Sequence, residues 1–188
     1  MTSLFGRKGA ALALAALAAA ALAIAFSACA EENFAETHVV EGEPIELGDL
    51  RFNVQLTRFL NPSDAEDAEY LEGERVPPPT GKNYLGVFME AKNEGDGAVT
   101  LPSALEMEVI DTTGATYSPV ETGTVFGFPF GATLEPDQKV PDPNGASGQG
   151  PINGAVVIFL VDDAVNENRP LELELLADGA KGTIELDL

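Results

Sequence analysis

Leu50-Arg51-Phe52-Asn53-Val54-Gln55-Leu56-Thr57 alternates apolar and polar side chains without a break. Successive side chains of an extended chain point to opposite faces, so this stretch reads as a strand with one face in a core and one in water. Further along, Tyr84-Leu85-Gly86-Val87-Phe88-Met89-Glu90-Ala91 is apolar on both faces, which predicts a central strand. Ala155 to Val161 (AVVIFLV) is an unbroken apolar run, short enough for a strand buried on both sides. Leu105, Met107 and Val109 alternate with Glu106 and Glu108; Leu171, Leu173 and Leu175 alternate with Glu172 and Glu174; Ile184, Leu186 and Leu188 close the chain the same way. About seven short strands separated by turns, with no sustained helical period after residue 30, predict an all-β sandwich. The long helix-free stretch excludes nucleotide-binding α/β folds. The expected core is Phe52, Val54, Leu56, Leu85, Val87, Met89, Leu105, Met107, Val109, Val157, Phe159, Leu173 and Ile184.

The connections carry their own signals. Pro62 ends the first strand, and Ser63 to Glu69 form an acidic loop with room for one helical turn. Pro77-Pro78-Pro79 is extended polyproline that no sheet interior accepts. Asn93-Glu94-Gly95-Asp96-Gly97 and Asp111-Thr112-Thr113-Gly114 are turns made of residues that tolerate positive φ. Residues 121–130 (ETGTVFGFPF) follow no regular period, and residues 135–152 are dense in Pro, Gly, Asp and Asn and read as a long loop.

The N-terminus is an export signal. Arg7 and Lys8 precede an Ala- and Leu-rich run of about 18 residues ending in Phe26-Ser27-Ala28-Cys29, where the chain's one cysteine lies. A lone Cys after small residues resembles the lipobox of bacterial lipoproteins, in which the thiol takes a diacylglyceryl group and a peptidase cuts before it. Ser27 and Ala28 fit that pattern; Phe26 stands where an aliphatic residue is usual. A retained signal-anchor and ordinary cleavage at Ala28-Cys29-Ala30 are the alternatives. Because Arg7 and Lys8 stay inside, each alternative puts the rest of the chain outside the cytoplasm. The expected organisation is a signal peptide with its helix over 1–28, a disordered acidic tether over 29–43 and one globular domain over 44–188. Cys29 would anchor that domain by lipid to the outer face of the cell membrane.

All 31 acidic residues follow Cys29 and only ten basic residues oppose them, for a net charge of −21. Such a surface repels phosphate backbones and anionic headgroups, which excludes nucleic acid as a partner. With Cys29 acylated, no cysteine is left for a disulfide, so the core alone must hold the fold. Tryptophan, the usual platform for stacking sugars, is absent.

The order of Asn93-Glu94-Gly95, then Asp111-Thr112-Thr113-Gly114-Ala115-Thr116-Tyr117, then Gly154 followed by Val156-Val157-Ile158-Phe159, resembles a family of bacterial Ig-like domains of unknown function. These occur on lipoproteins and are related to the immunoprotective extracellular antigen fold. The resemblance covers residues 44 to 188 and implies an immunoglobulin-like β-sandwich in an extracytoplasmic location, with no catalytic residues. Asp162-Asp163 and the enlarged loops at 61–82 and 118–152 depart from the family pattern.

Candidate chemistry is sparse. His38, the one histidine, lies in the expected tether, so no His-dependent triad or two-His metal motif is available. Asp64, Glu66, Asp67 and Glu69, with Asp137 and Asp142 from the later loop, offer oxygen ligands of the kind calcium takes, but without EF-hand spacing. Solvated acidic loops are the simpler reading. Phe126, Phe128 and Phe130, spaced by Gly127 and Pro129, form either an exposed patch for a partner or a plug at one end of the sandwich. The expected function is a non-catalytic, lipid-anchored module that binds a protein or envelope component, with no cofactor. The alternatives are an extracytoplasmic metal-ion or small-ligand carrier and a metal-assisted hydrolase.

Overall fold

The computed structural model describes residues 36–71, 77–145, 147–150 and 152–188. The expected signal peptide over 1–28, Cys29 and the first part of the expected tether lie outside these residues. Among the described residues no helix is long and apolar enough to cross a membrane.

Thirteen strand segments, most of them short, follow one another as β1 (Glu36–Val40), β2 (Ile45–Leu47), β3 (Leu50–Leu60), β4 (Lys82–Asn93), β5 (Val99–Thr100), β6 (Met107–Ile110) and β7 (Thr116–Tyr117), then β8 (Pro119–Val120), β9 (Thr133–Leu134), β10 (Lys139–Val140), β11 (Ala155–Asp162), β12 (Leu171–Ala177) and β13 (Ala180–Leu186). Among the described residues one short α-helix, α1 (Ala65–Tyr70), sits between β3 and β4. A five-stranded sheet runs β1-β13-β12-β6-β7 and a six-stranded sheet β2-β3-β4-β11-β8, with β10 pairing to the end of β4 and β5 pairing apart with β9. The chain is an all-β sandwich of immunoglobulin-like form. The expected strands fall on β3, β4, β5, β6, β7, β11, β12 and β13; β1 was not among them.

The inner faces of the two sheets share one core that contains Phe52, Val54, Leu85, Val87, Met107, Phe159 and Leu173. The sheets approach closely where β13 crosses β2: a Cβ on Gly182 would lie 2.6 Å from Ile45 Cδ1, so a larger residue there would force the Ile45 and Leu47 side chains to shift. Two local motifs hold the strand ends. Asn93 is fully buried, donates to the carbonyls of Gly97 (2.7 Å) and Leu134 (2.9 Å), and accepts from Gly95 N, which closes the predicted turn and ties β4 to β9. Asp111 accepts from Thr113 N, Thr113 Oγ1 and Ala115 N with one oxygen and from Asn168 Nδ2 with the other. Gly114 there has φ of +83°, the left-handed conformation that glycine adopts without a Cβ penalty.

Three expectations are corrected. The alternation from Leu50 does not run straight through: the register against β4 shifts between Val54 and Leu56. This bulge turns Leu56 to the outer side, beside Leu60 and Phe88, and puts buried Thr57 and half-buried Phe59 on the inner side. Leu105 is 95% exposed rather than core, because Ala104–Glu106 forms a 3-10 turn and β6 begins only at Met107. The tether reading over 29–43 fails from Glu36 onward. Glu36–Val40 pairs in parallel with β13, and Val39 packs against the core opposite Ile184.

A second apolar cluster lies on the outer face of the six-stranded sheet. Leu60, Tyr70, Leu71, Tyr84, Phe88, Val156 and Ile158 are buried there beneath segments of the two enlarged loops. The both-faces-apolar pattern of β4 and β11 is explained by this roof.

Candidate functional site

The residues singled out by sequence are dispersed over the six-stranded sheet: Asp64 to Glu69 follow Leu60, opposite Tyr84 at the start of β4, whereas Asp137 lies beside Lys92 near its end. The segment from Phe126 to Phe128 runs along β11: Val156 N donates to Phe126 O and Phe128 N to Val156 O, each at 2.9 Å. That docking sends the rings to different places. Phe126 joins the roof, with its ring 5.2 Å from that of Tyr70 and edge to face. Phe128 is only 4% exposed and belongs to the inter-sheet core, and half-buried Phe130 packs on it at 5.4 Å. The exposed Phe126–Phe128–Phe130 patch is therefore corrected to a plug, because Gly127 and Pro129 break the strand and the rings turn inward.

The residue left outward is Val125, 67% exposed. It borders an open groove of about 700 Å³ whose lining also includes Pro129, Leu134, Val140, Pro141 and Pro143. Its walls are fixed by hydrogen bonds. Ser147 Oγ donates to Val125 O at 3.0 Å, and Thr124 Oγ1 donates to Glu69 O at 2.9 Å, which ties this loop to α1. Asp137, Lys139 and Asp142 supply charge to its lining. Sequence reasoning assigned these residues to an undifferentiated loop. A single exposed valine in aperiodic sequence gives no signal until β10 pairs with β4 and fixes the opposite wall.

The acidic loops serve structural roles. Asp64 caps α1, accepting from Glu66 N at 2.9 Å and Asp67 N at 3.3 Å. Asp67 is buried, accepts from Asn61 N at 2.8 Å, and pairs with Arg58, which also reaches Glu66 at 3.1 Å. Arg58 lies 6.0 Å over the Phe88 ring. Asp142 accepts from Asn144 N to close its own turn, and exposed Asp137 sits 3.6 Å from Lys92. Glu69 is exposed and contributes its backbone carbonyl. Among the described residues no group of three or more His, Cys, Asp or Glu side chains is arranged to hold a metal ion. The calcium reading for Asp64, Glu66, Asp67, Glu69, Asp137 and Asp142 is set aside on this geometry. His38 is exposed on β1, at the end of the five-stranded sheet.

Perturbed titrations belong to packing. Burial raises the Tyr70 phenol, with Glu66 adding to the effect, and burial likewise raises Tyr117, with Asp111 adding to it. The Asp111 carboxyl is held below its usual range, first by the Thr113 hydroxyl and further by the Ala115 and Thr113 amides.

The architecture places the chain in the class of β-sandwich proteins. No family model matches its sequence, and no curated protein matches it. Among solved structures it is similar to the yjhA protein of Bacillus subtilis, at 16% identity and a TM-score of 0.50 over 80% of this chain and all of that one. It is also similar to a candidate lipoprotein of Bacillus subtilis, ycdA (11% identity, TM-score 0.50, 78% of this chain and 38% of that chain). A third is an uncharacterized β-sandwich protein of Clostridium difficile (19% identity, TM-score 0.47, 81% and 95%). At these identities what is shared is the fold.

Proposed function

We propose that this protein is an exported, lipid-anchored, non-catalytic Ig-like module that binds a protein or cell-envelope component on the outer side of the membrane. The export signal and Cys29 support the location, and a neighbour in fold described as a candidate lipoprotein agrees with it. The observation that carries the binding reading is the groove beside Val125. It is preformed, its walls are largely apolar, and its prolines limit the entropy lost when a partner docks. The residue inventory speaks against catalysis. General acid–base work needs a group poised near neutral pH, and the single histidine is a solvated residue on a strand remote in sequence from the groove loops.

A photo-crosslinking residue at Val125, in cells producing the full chain, is expected to give a discrete protein adduct. The same residue at exposed Glu167 is expected to give none. Equal yields from both positions, or no adduct from Val125, overturn the groove as the binding site. Cys29→Ala is expected to release the folded protein from membranes; retention after a high-salt wash overturns lipid attachment.

A further inference from the structure

The outer face of the five-stranded sheet has a charge pattern that the groove does not explain. In register across β6, β12, β13 and β1 runs the row Glu108–Glu174–Thr183–His38, and beside it Ile110–Glu172–Glu185–Val40. Glu108 therefore faces Glu174 directly across strands, and Glu172 faces Glu185. Like charges in such positions oppose folding, and the isolated domain carries that cost. Lys181 reaches Glu174 at 2.9 Å, whereas Glu108, Glu172 and Glu185 make no ion pair among the described residues.

Two observations independent of charge fall on the same face. Thr183 lies between Glu174 and His38 in the first row, with its neighbours in sequence turned to the inner side: Gly182 meets Ile45, and Ile184 is fully buried. Its side chain is only 4% exposed, yet its hydroxyl has no hydrogen-bond partner among the described residues. A buried hydroxyl left unpaired is costly, and a donor docked among these glutamates would satisfy it once the neighbouring Glu174 and His38 side chains turn aside. At the edge of the face stands Leu105, 95% exposed beside a shallow groove of about 300 Å³ lined by Glu108, Glu174, Leu176 and Lys181. The turn that presents this leucine is closed by Ser103 N and Oγ, which both donate to Glu106 Oε2 at 2.8 Å.

We propose that this sheet face docks a lysine- or arginine-rich polypeptide segment, with Leu105 meeting an aliphatic side chain of that segment. An ammonium has three donors and no acceptor, which suits two opposed carboxylates and a vacant hydroxyl acceptor. The net charge of −21 would draw such a segment in from a distance and repel anionic competitors. The surface belongs to the other sheet from the Val125 groove, so either site can fail without the other.

The probe is a capped peptide of six lysines with one central leucine, titrated into the full chain in neutral detergent, with its all-lysine and all-glutamate counterparts beside it. The Glu108→Gln/Glu174→Gln variant is expected to weaken binding about tenfold while its melting temperature stays level or rises. Exposed Glu121→Gln/Glu167→Gln, with the same charge change elsewhere, is expected to lose less than about twofold. Leu105→Ser, which alters a solvated side chain and cannot unfold the sheet, is expected to weaken the leucine-bearing peptide several-fold and leave the all-lysine peptide unchanged. Equal losses in the two double variants would mean diffuse attraction only and overturn the proposal. So would full competition by millimolar calcium at constant ionic strength, or an unchanged Leu105→Ser affinity.

Discussion

On the outer face of the six-stranded sheet, Leu60, Tyr84, Phe88 and Ile158 are buried beneath loops; on the outer face of the five-stranded sheet, Glu108, Glu172, Glu174 and Glu185 stay partly in solvent. The difference follows from what each sheet was given to cover it. The loops at 61–82 and 118–152 supply Tyr70, Leu71 and Phe126 as a roof. Roofed strands can be apolar on both sides, as β4 and β11 are. The other sheet has to alternate, and β12 reads Leu-Glu-Leu-Glu-Leu with every leucine buried and every glutamate at an intermediate exposure. The long loops of this sandwich therefore build a second core on one side, and the outer face of the other sheet keeps its glutamates partly in solvent.

The sharpest way to break that comparison is to empty each core in turn. Phe88→Ala, beneath the roof, and Phe159→Ala, between the sheets, are each expected to cost about 3–5 kcal/mol in urea unfolding. Both rings are fully buried, and Phe88 also loses its edge contact with Tyr70 at 4.9 Å. A loss below about 1 kcal/mol at Phe88 alone would reduce the roof to a loose cover.

A smaller effect is expected at Asp111, which secures the turn at the edge of the alternating sheet. Its native pKa is held low, so its contribution is fully present above the ordinary carboxylate value of about 3.9 and is lost as pH falls through the lower native value. Asp111→Asn should cost about 1–2 kcal/mol at neutral pH, with the gap to the parent protein closing in strong acid. Unfolding curves collected down the pH scale check the sign; a gap that stays constant with pH would assign the stabilisation to shape rather than charge.

The smallest effect tests the bare face itself. Removing one of two opposed charges, as in Glu172→Gln, should raise stability by about 0.2–1 kcal/mol at low salt, and the gain should shrink as salt screens the pair. A variant less stable than its parent at every ionic strength would show that Glu172 and Glu185 do not repel in the folded state.

Much of this was legible in the chain. Alternation in 171–175 and the unbroken run 155–161 announced one-sided and two-sided burial, because strand periodicity is local and needs no knowledge of the partner strand. The turns at Asn93 and Asp111 were equally plain, since each side chain bonds backbone within a few residues. Leu56 and Leu105 were misplaced by the same logic: a bulge and a 3-10 turn shift the phase, and neither leaves a mark in an apolar-polar pattern. The strand at 36–40 went unseen because its partner is β13, nearly the whole chain away.

The sequence by itself thus determined the all-β class, the acidic surface and a single histidine, all of which depend on residue type and near-neighbour order. Only the tertiary structure decided where Phe126, Phe128 and Phe130 point, which walls make the groove at Val125, and that Glu108 faces Glu174. Those outcomes rest on pairing between segments far apart in the chain, where register and sheet packing, rather than local preference, set the lowest free energy.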